Sequence, residues 1–93
     1  MIIGTCKIDL RLFSPNSLKE KRRILNSLIA KLKNNFNISV SEVGNNELWQ
    51  KATLGIALVS NDSSYVNEIL DKVIDYVEEF NDVEIIDVEM EIL

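Results

Sequence analysis

The sequence predicts a single α+β domain of βαββαβ order, the ferredoxin-like architecture, with a four-stranded antiparallel sheet and two helices on one of its faces. Three observations predict it. Four segments alternate apolar and polar residues with the period of a half-buried strand. Two others have apolar residues at helical spacing, and 93 residues suit one domain. Right-handed βαβ crossovers joined by a hairpin give the expected strand order 4-1-3-2.

Residues 2–13 are predicted to form the first strand, because apolar residues alternate there with Thr, Lys, Asp and Arg. Pro15 interrupts the pattern, since proline lacks the N–H that a strand ladder needs. Ser17 then begins a capping box. Its hydroxyl can accept from the N–H of Glu20, whose carboxylate can reach back to the N–H of Ser17. A helix is predicted from the apolar stripe that follows: Leu18, Leu25, Leu28, Ile29, Leu32 and Phe36.

The second half of the chain predicts a hairpin, a helix and a last strand. Ile38, Val40 and Val43 indicate the second strand, and residues 44–46 are typical of a turn. The third strand contains residues 53–59, and residues 61–64 offer caps for the next helix. The apolar stripe of that helix is Val66, Ile69, Leu70, Val73, Ile74, Val77 and Phe80. The fourth strand alternates Ile86, Val88, Met90 and Ile92 with Asp87, Glu89 and Glu91.

The composition excludes several kinds of chemistry. The chain has no histidine, so it lacks the commonest general base near neutral pH and the commonest transition-metal ligand. Its one cysteine, Cys6, cannot form an intrachain disulfide or a cysteine-rich metal site, and it is predicted to be a small core residue. None of the three glycines belongs to a phosphate-binding loop. We therefore expect no cofactor, no bound metal and no catalytic residue.

The expected location is the cytoplasm. A lone cysteine suits a reducing compartment. The amino terminus lacks the basic and apolar regions of a signal peptide, and the apolar runs are far shorter than the about 20 residues of a membrane span. We therefore expect no membrane partner.

The charges divide between the two halves of the chain. Residues 1–51 contain nine cations and four carboxylates, a formal charge of +5, whereas residues 52–93 contain one cation and eleven carboxylates, a charge of −10. Four of the ten cations gather where the first helix starts. Either this is a solvated face, matched in part by the acidic second helix, or it contacts phosphates, RNA among them. The candidate phosphate or RNA contacts are Lys19, Lys21, Arg22, Arg23 and Lys51.

A second candidate surface surrounds the single tryptophan. If the third strand extends back to Leu48, Trp49 shares the outer face of the sheet with Thr53 and Ala57. Exposed aromatic rings on a sheet can stack on bases, but the other outer positions carry no aromatic partner. Packing against a second subunit is therefore favoured over ligand contact. The candidate partner or ligand surface is Trp49, Gln50, Glu42 and Thr53, and a homodimer would use Ile3, Thr5, Trp49, Thr53, Ala57 and Val59.

Three segments carry a family resemblance: residues 17–22 (SLKEKR), 36–43 (FNISVSEV) and 48–55 (LWQKATLG). They resemble the YlxP-like family, small bacterial proteins of unknown function, and the match continues through residues 59–62. The resemblance implies a ferredoxin-like fold and no established enzyme activity. Genes of this family often lie near those of translation-initiation and ribosome-binding factors, which implies work on RNA or the ribosome.

These observations lead to three hypotheses of function. The first is a non-enzymatic binding protein, associated with RNA or the ribosome in translation or ribosome assembly. The second is a protein-interaction module that forms a homodimer through the open sheet face and has no nucleic-acid role. The third is a hydrolase, which would use Glu42, Gln50 or Asn45 near the hairpin.

Overall fold

A computed structural model describes all 93 residues, and its elements follow the predicted order. The six elements are β1 (Ile2–Leu12), α1 (Leu18–Asn35), β2 (Ser39–Gly44), β3 (Lys51–Ser60), α2 (Ser63–Glu78) and β4 (Val83–Ile92). The strands form one sheet in the order β2-β3-β1-β4, with every neighbouring pair antiparallel. The ferredoxin-like architecture and the strand order are therefore confirmed.

The core lies between the sheet and both helices, so one face of the sheet remains uncovered. Alternate residues of β1 turn their side chains toward the helices, as period two requires. On β3, the partners of these residues in the strand ladder face the same way. The buried apolar residues come from every element: Cys6, Ile8, Leu10, Leu12, Leu25, Leu28, Leu32, Val40, Ala52, Leu54, Ile56, Leu58, Val66, Leu70, Val73, Val77 and Val83. Neither helix is long and apolar enough to cross a membrane.

Side-chain caps start both helices. The Ser17 hydroxyl accepts from the N–H of Glu20 at 3.2 Å, as predicted. The Glu20 carboxylate, however, accepts from the N–H of Asn16 at 2.6 Å rather than from that of Ser17. Glu20 therefore reaches one residue further back and holds the end of the loop that follows β1. Asp62 caps α2 by accepting from the N–H groups of Ser64 and Tyr65.

A β-bulge re-aims the side chains at the end of β2. The pairing of β2 with β3 shifts register between Glu42 and Gly44, so Val43 is an extra residue. Val43 lies against Gly55 on the uncovered face, and a Cβ atom at Gly55 would come within 2.8 Å of it. Glu42 precedes the bulge and pairs with Leu54, so by simple alternation with Val40 it faces α1, whereas Val43 faces the open side. The bulge then brings Gly44 opposite Thr53.

A glycine on the inner face of β1 permits close packing of α2. A Cβ atom at Gly4 would collide with the side chain of Val66 and would also meet Leu70 at 3.2 Å. We predict that Gly4→Ala lowers the free energy of unfolding by about 1–3 kcal/mol, because overpacking forces the helix away from the sheet. Urea denaturation measures the change.

The double variant Gly4→Ala/Val66→Ala tests the cause. Since the second substitution removes the atoms that clash, its cost should be smaller than the sum of the two single costs. Strictly additive costs would contradict the steric explanation.

Candidate nucleic-acid interface

The candidate residues gather at one end of the sheet, where β1 ends, α1 begins and the β2–β3 hairpin turns. The Leu12 N–H donates to the carbonyl of Gln50 at 2.8 Å, so the hairpin continues to pair with β1 beyond the start of β3. The turn closes through the Leu48 N–H, which donates to the carbonyl of Asn45 at 3.1 Å. Residues 45–50 therefore form an ordered loop beside α1.

Lys21 is buried rather than exposed, with 1% of its surface accessible. Its ammonium lies 2.9 Å from a Glu42 carboxylate oxygen and donates to the carbonyls of Asn45 at 2.6 Å and Asn46 at 3.5 Å. The prediction that Lys21 belongs to an exposed phosphate-contacting group is wrong. Lys21 stands one turn before Leu25 on the inward stripe of α1, so its side chain points toward the hairpin.

Glu42 is the charged partner of Lys21 and is not part of the open face. Its side chain is 18% exposed. The carboxylate oxygen that lies nearest the Lys21 ammonium is buried, and it accepts no hydrogen bond of acceptable geometry. Attraction between opposite charges therefore holds this pair. Glu42 was predicted on a partner or ligand surface; the alternation of β2, in which Val40 and Glu42 share the inner face, instead places it under α1, where its carboxylate compensates the buried ammonium.

Asn45 connects the two faces of the sheet at this point. It adopts a positive φ of 60°, a conformation that asparagine tolerates better than most residues. Its side-chain amide donates to the Thr53 hydroxyl at 3.0 Å, and that hydroxyl donates to Asp9 at 2.7 Å. Thr53 is only 7% exposed, so its predicted place on a partner surface is wrong. Gly44 and Asn45 cover it.

The remaining predicted cations are exposed and unpaired. Lys19, Arg22 and Arg23 lie on the outer side of the first turns of α1, and Lys51 lies at the start of β3. The structure contains four ion pairs, and none of them joins α1 to the acidic α2: Lys7–Glu89, Arg11–Glu84, Lys21–Glu42 and Lys72–Glu68. The acidic helix therefore does not neutralise these cations. We call Lys19, Arg22, Arg23 and Lys51 the basic group.

Trp49 lies in the hairpin loop instead of in β3, and about half of its surface is exposed. It lines a shallow concavity of about 440 Å³ together with Arg11, Glu47, Leu48, Gln50 and Lys51. Phe13, equally exposed, stands beyond the end of β1, where its ring lies 5.9 Å from the Arg11 guanidinium. Sequence reasoning missed Phe13 and Arg11. Both residues occupy outward-facing positions in the alternation of β1, next to the turn at Pro15. That pattern was the signal in the sequence that could have identified them.

The opposite end of the open face is apolar. Val59 and Ile3 are partners across β3 and β1, and Leu93 exchanges two backbone hydrogen bonds with Ile3, at 3.1 and 2.7 Å. Val59 is 61% exposed and Leu93 64%. Thr5 and Ala57 follow along the same two strands. The open face thus has an apolar end and, about eight residues along β1, a cationic and aromatic end.

The remaining groups offer little reactivity. Burial raises the pKa of the Cys6 thiol to about 11, so at neutral pH the thiol is protonated and a poor nucleophile. No group of three His, Cys, Asp or Glu side chains is placed to hold a metal ion.

We predict that Lys21→Met lowers the free energy of unfolding by about 3–5 kcal/mol, because it leaves the Glu42 carboxylate buried without its cation. Urea denaturation followed by far-UV circular dichroism measures this. Arg22→Met, one residue further along α1 but exposed, is the matched control and should change stability by no more than about 0.5 kcal/mol.

The double variant Lys21→Met/Glu42→Leu should recover part of the loss, since it also removes the stranded charge. Equal costs for Lys21→Met and Arg22→Met would contradict the role of the buried pair.

Comparison with solved structures supports the fold. The chain superposes on the de novo designed protein Foldit4 with a TM-score of 0.53 at 12% identity, covering 98% of this chain and 96% of that one. It superposes on the de novo designed protein LFR1 1 with ferredoxin fold with a TM-score of 0.56 at 9% identity, covering 100% and 84%. At such identities the likeness shows the fold alone.

Comparison of sequences shows the family. The chain is 32% identical over 83 residues to the "Uncharacterized protein YlxP" of Bacillus subtilis (strain 168), a match that covers 89% of this chain and 90% of that protein. Residues 3–90 match the family model described as "Protein of unknown function (DUF503)". The YlxP-like resemblance is thereby confirmed, and the chain belongs to the DUF503 family.

Proposed function

We propose that this chain is a non-enzymatic RNA-binding protein of the cytoplasm that acts in translation or ribosome assembly. The basic group would contact the phosphates. One observation carries the proposal: in a protein of net charge −5, these four cations are exposed, unpaired and gathered at one end of the fold. The family resemblance to proteins encoded near translation factors agrees with it.

The distribution of charge favours a single bound orientation. Phosphate contacts by lysine and arginine supply most of the affinity of proteins for nucleic acid. In cellular salt, charges act over about 8 Å, so the basic group attracts phosphates locally although the whole chain is acidic. The carboxylates of α2 and β4 repel the phosphates of RNA. We therefore expect the protein to approach RNA with the start of α1 and the hairpin first.

The non-enzymatic part of the proposal is supported by Glu42. This carboxylate was one of the three residues that a hydrolase would use, but the buried ammonium of Lys21 engages it. Asn45 is likewise engaged: its side-chain amide donates to the Thr53 hydroxyl, and its backbone carbonyl accepts from Lys21. Neither side chain is poised to act on a substrate.

Filter binding at low salt tests the proposal. We predict that Arg22→Glu/Arg23→Glu weakens binding of a structured ribosomal RNA fragment at least tenfold, because two phosphate contacts become repulsive. Binding by the unaltered protein should also fall steeply with added salt, as counterion release requires.

The matched control is Lys31→Glu/Lys33→Glu, which makes the same change of charge at the far end of α1. It should weaken binding much less. If the two double variants lose affinity equally, net charge alone explains the binding. If the unaltered protein binds no RNA at 50 mM salt, the proposal is wrong.

A homodimer is a second candidate, favoured by the apolar end of the open face. Ile3, Val59 and Leu93 form a contiguous apolar row across three strands, with nothing in the chain covering it. Four strands about 4.8 Å apart and ten residues rising about 3.3 Å each give a face of roughly 600 Å². Stable interfaces bury about 800 Å² per partner, so we expect a weak dimer.

Light scattering over a concentration series tests the dimer. We predict that the mass rises toward that of two chains at high concentration and that Val59→Asp abolishes the rise, because it places a charge in the contact. Ile86→Asp, at a comparably exposed position on β4, is the control. A monomer at every concentration up to hundreds of micromolar would remove this candidate.

A further inference from the structure

We infer that Trp49 and Phe13 form a stacking platform for the bases of single-stranded RNA. This inference rests on the proposed function and deepens it, because it names the form of RNA that the protein prefers. Both rings adjoin Arg11 in the fold, a proximity that is not visible in the sequence, where 35 residues separate them.

The pairing of β1 with β3 brings the segments that carry the two rings to the same end of the sheet. Arg11 is the ladder partner of Lys51, and the Leu12 N–H donates to the Gln50 carbonyl at 2.8 Å. Phe13 follows β1 and Trp49 precedes β3, and each adjoins Arg11: the Phe13 ring lies 5.9 Å from the Arg11 guanidinium, and Trp49 lines a concavity together with Arg11 and Lys51. Two exposed aromatic rings therefore lie beside the same end of the open face.

The exposure of these rings is unusual for residues of their kind. Phe13 is 55% exposed and Trp49 49%, and neither belongs to the apolar core or packs against its rim. Leu48, also about half exposed, adjoins them in the loop. An uncovered aromatic pair beside cations has the chemistry that single-stranded nucleic acid recognises, since each base presents a flat π-face and each linkage a phosphate.

One unpaired cation flanks the rings and favours nucleic acid over an apolar partner. Lys51 has no ion pair and, together with Glu47, borders the concavity that Trp49 lines. Arg11 is held by Glu84 at 2.8 Å and lies near the ring of Phe13, so it also orients the platform. A duplex keeps its bases stacked and paired inside, so it cannot use such rings. The platform therefore selects single strands.

The platform is tied to the basic group through the buried lysine. Lys21 donates from α1 to the carbonyls of Asn45 and Asn46, four and three residues before Trp49. The outer side of the same helical turns carries Lys19, Arg22 and Arg23. The rings and the basic group therefore lie at the same end of the molecule, held together by this contact.

The single tryptophan supplies a direct measurement. Titration with an unstructured uridine RNA of about ten nucleotides, within the usual site size, should quench the emission of Trp49 and saturate. The same length of duplex RNA should bind more weakly and quench little. Anisotropy of a labelled strand should show that Phe13→Leu and Trp49→Leu each weaken binding about tenfold. Tyr65→Leu, a comparably exposed aromatic on α2, should leave binding unchanged.

The outcomes separate this inference from the proposed function. If RNA binds and responds to Arg22→Glu/Arg23→Glu, yet Trp49 is not quenched or Phe13→Leu has no effect, the platform is wrong and the proposed function stands. Equal affinity for duplex and single-stranded RNA would likewise show that the platform is wrong while the proposed function stands. If the protein binds no RNA, both the platform and the proposed function are wrong. If the emission of Trp49 changes with protein concentration alone, a second copy covers the ring, and the inference is overturned.

Discussion

The ammonium of Lys21, buried between α1 and the β2–β3 hairpin, is the interaction on which the candidate interface depends. A buried charge is costly unless opposite charge and hydrogen bonds compensate it. Here the Glu42 carboxylate supplies the charge, and two carbonyls of the turn supply acceptors. The ammonium therefore connects α1 to β2 and to the turn that follows it. It holds the hairpin loop, and with it Trp49 and Lys51, at one position relative to α1.

The alternation of β2 makes this contact available. Glu42 follows Val40 by two residues and pairs with Leu54, so it shares the inner face of the sheet, while Val43 lies against Gly55 on the outer face. The bulge that follows brings Gly44 opposite Thr53. Asn45, in its left-handed conformation, completes the turn and links it to Thr53 and Asp9 across the sheet. Turn, bulge and buried lysine act as one unit.

The uncovered face of the sheet gives the molecule two surfaces of different chemistry. One end is an apolar row of Ile3, Val59 and Leu93, and the other carries aromatic rings beside cations. The ion pairs of β1 with β4 lie on this face and are exposed, so they contribute little to stability. Because the two ends are separate, a dimer contact at the apolar end and an RNA contact at the other can coexist in one protein.

Much of this could be predicted without coordinates, because its causes are local. The period of the apolar residues defined four strands and two helices, the Ser17 cap defined the start of α1, and the handedness of βαβ crossovers then left one strand order. The separation of cations in the first half of the chain from carboxylates in the second half could also be read from the sequence. Lys21, by contrast, was grouped with its cationic neighbours, although its spacing from Leu25 already put it on the inward stripe of the helix.

What required the tertiary structure were the contacts between residues distant in the chain. The contact of Glu42 with Lys21, the burial of Thr53 by the hairpin, and the proximity of Phe13 and Trp49 to Arg11 each depend on how segments distant in the chain pair and pack. A shift of one residue reverses which face of a strand a side chain occupies, and periodicity alone does not reveal such a shift. Composition and spacing thus determined the fold and its division of charge. Register and packing decided which charges are buried and which rings remain exposed.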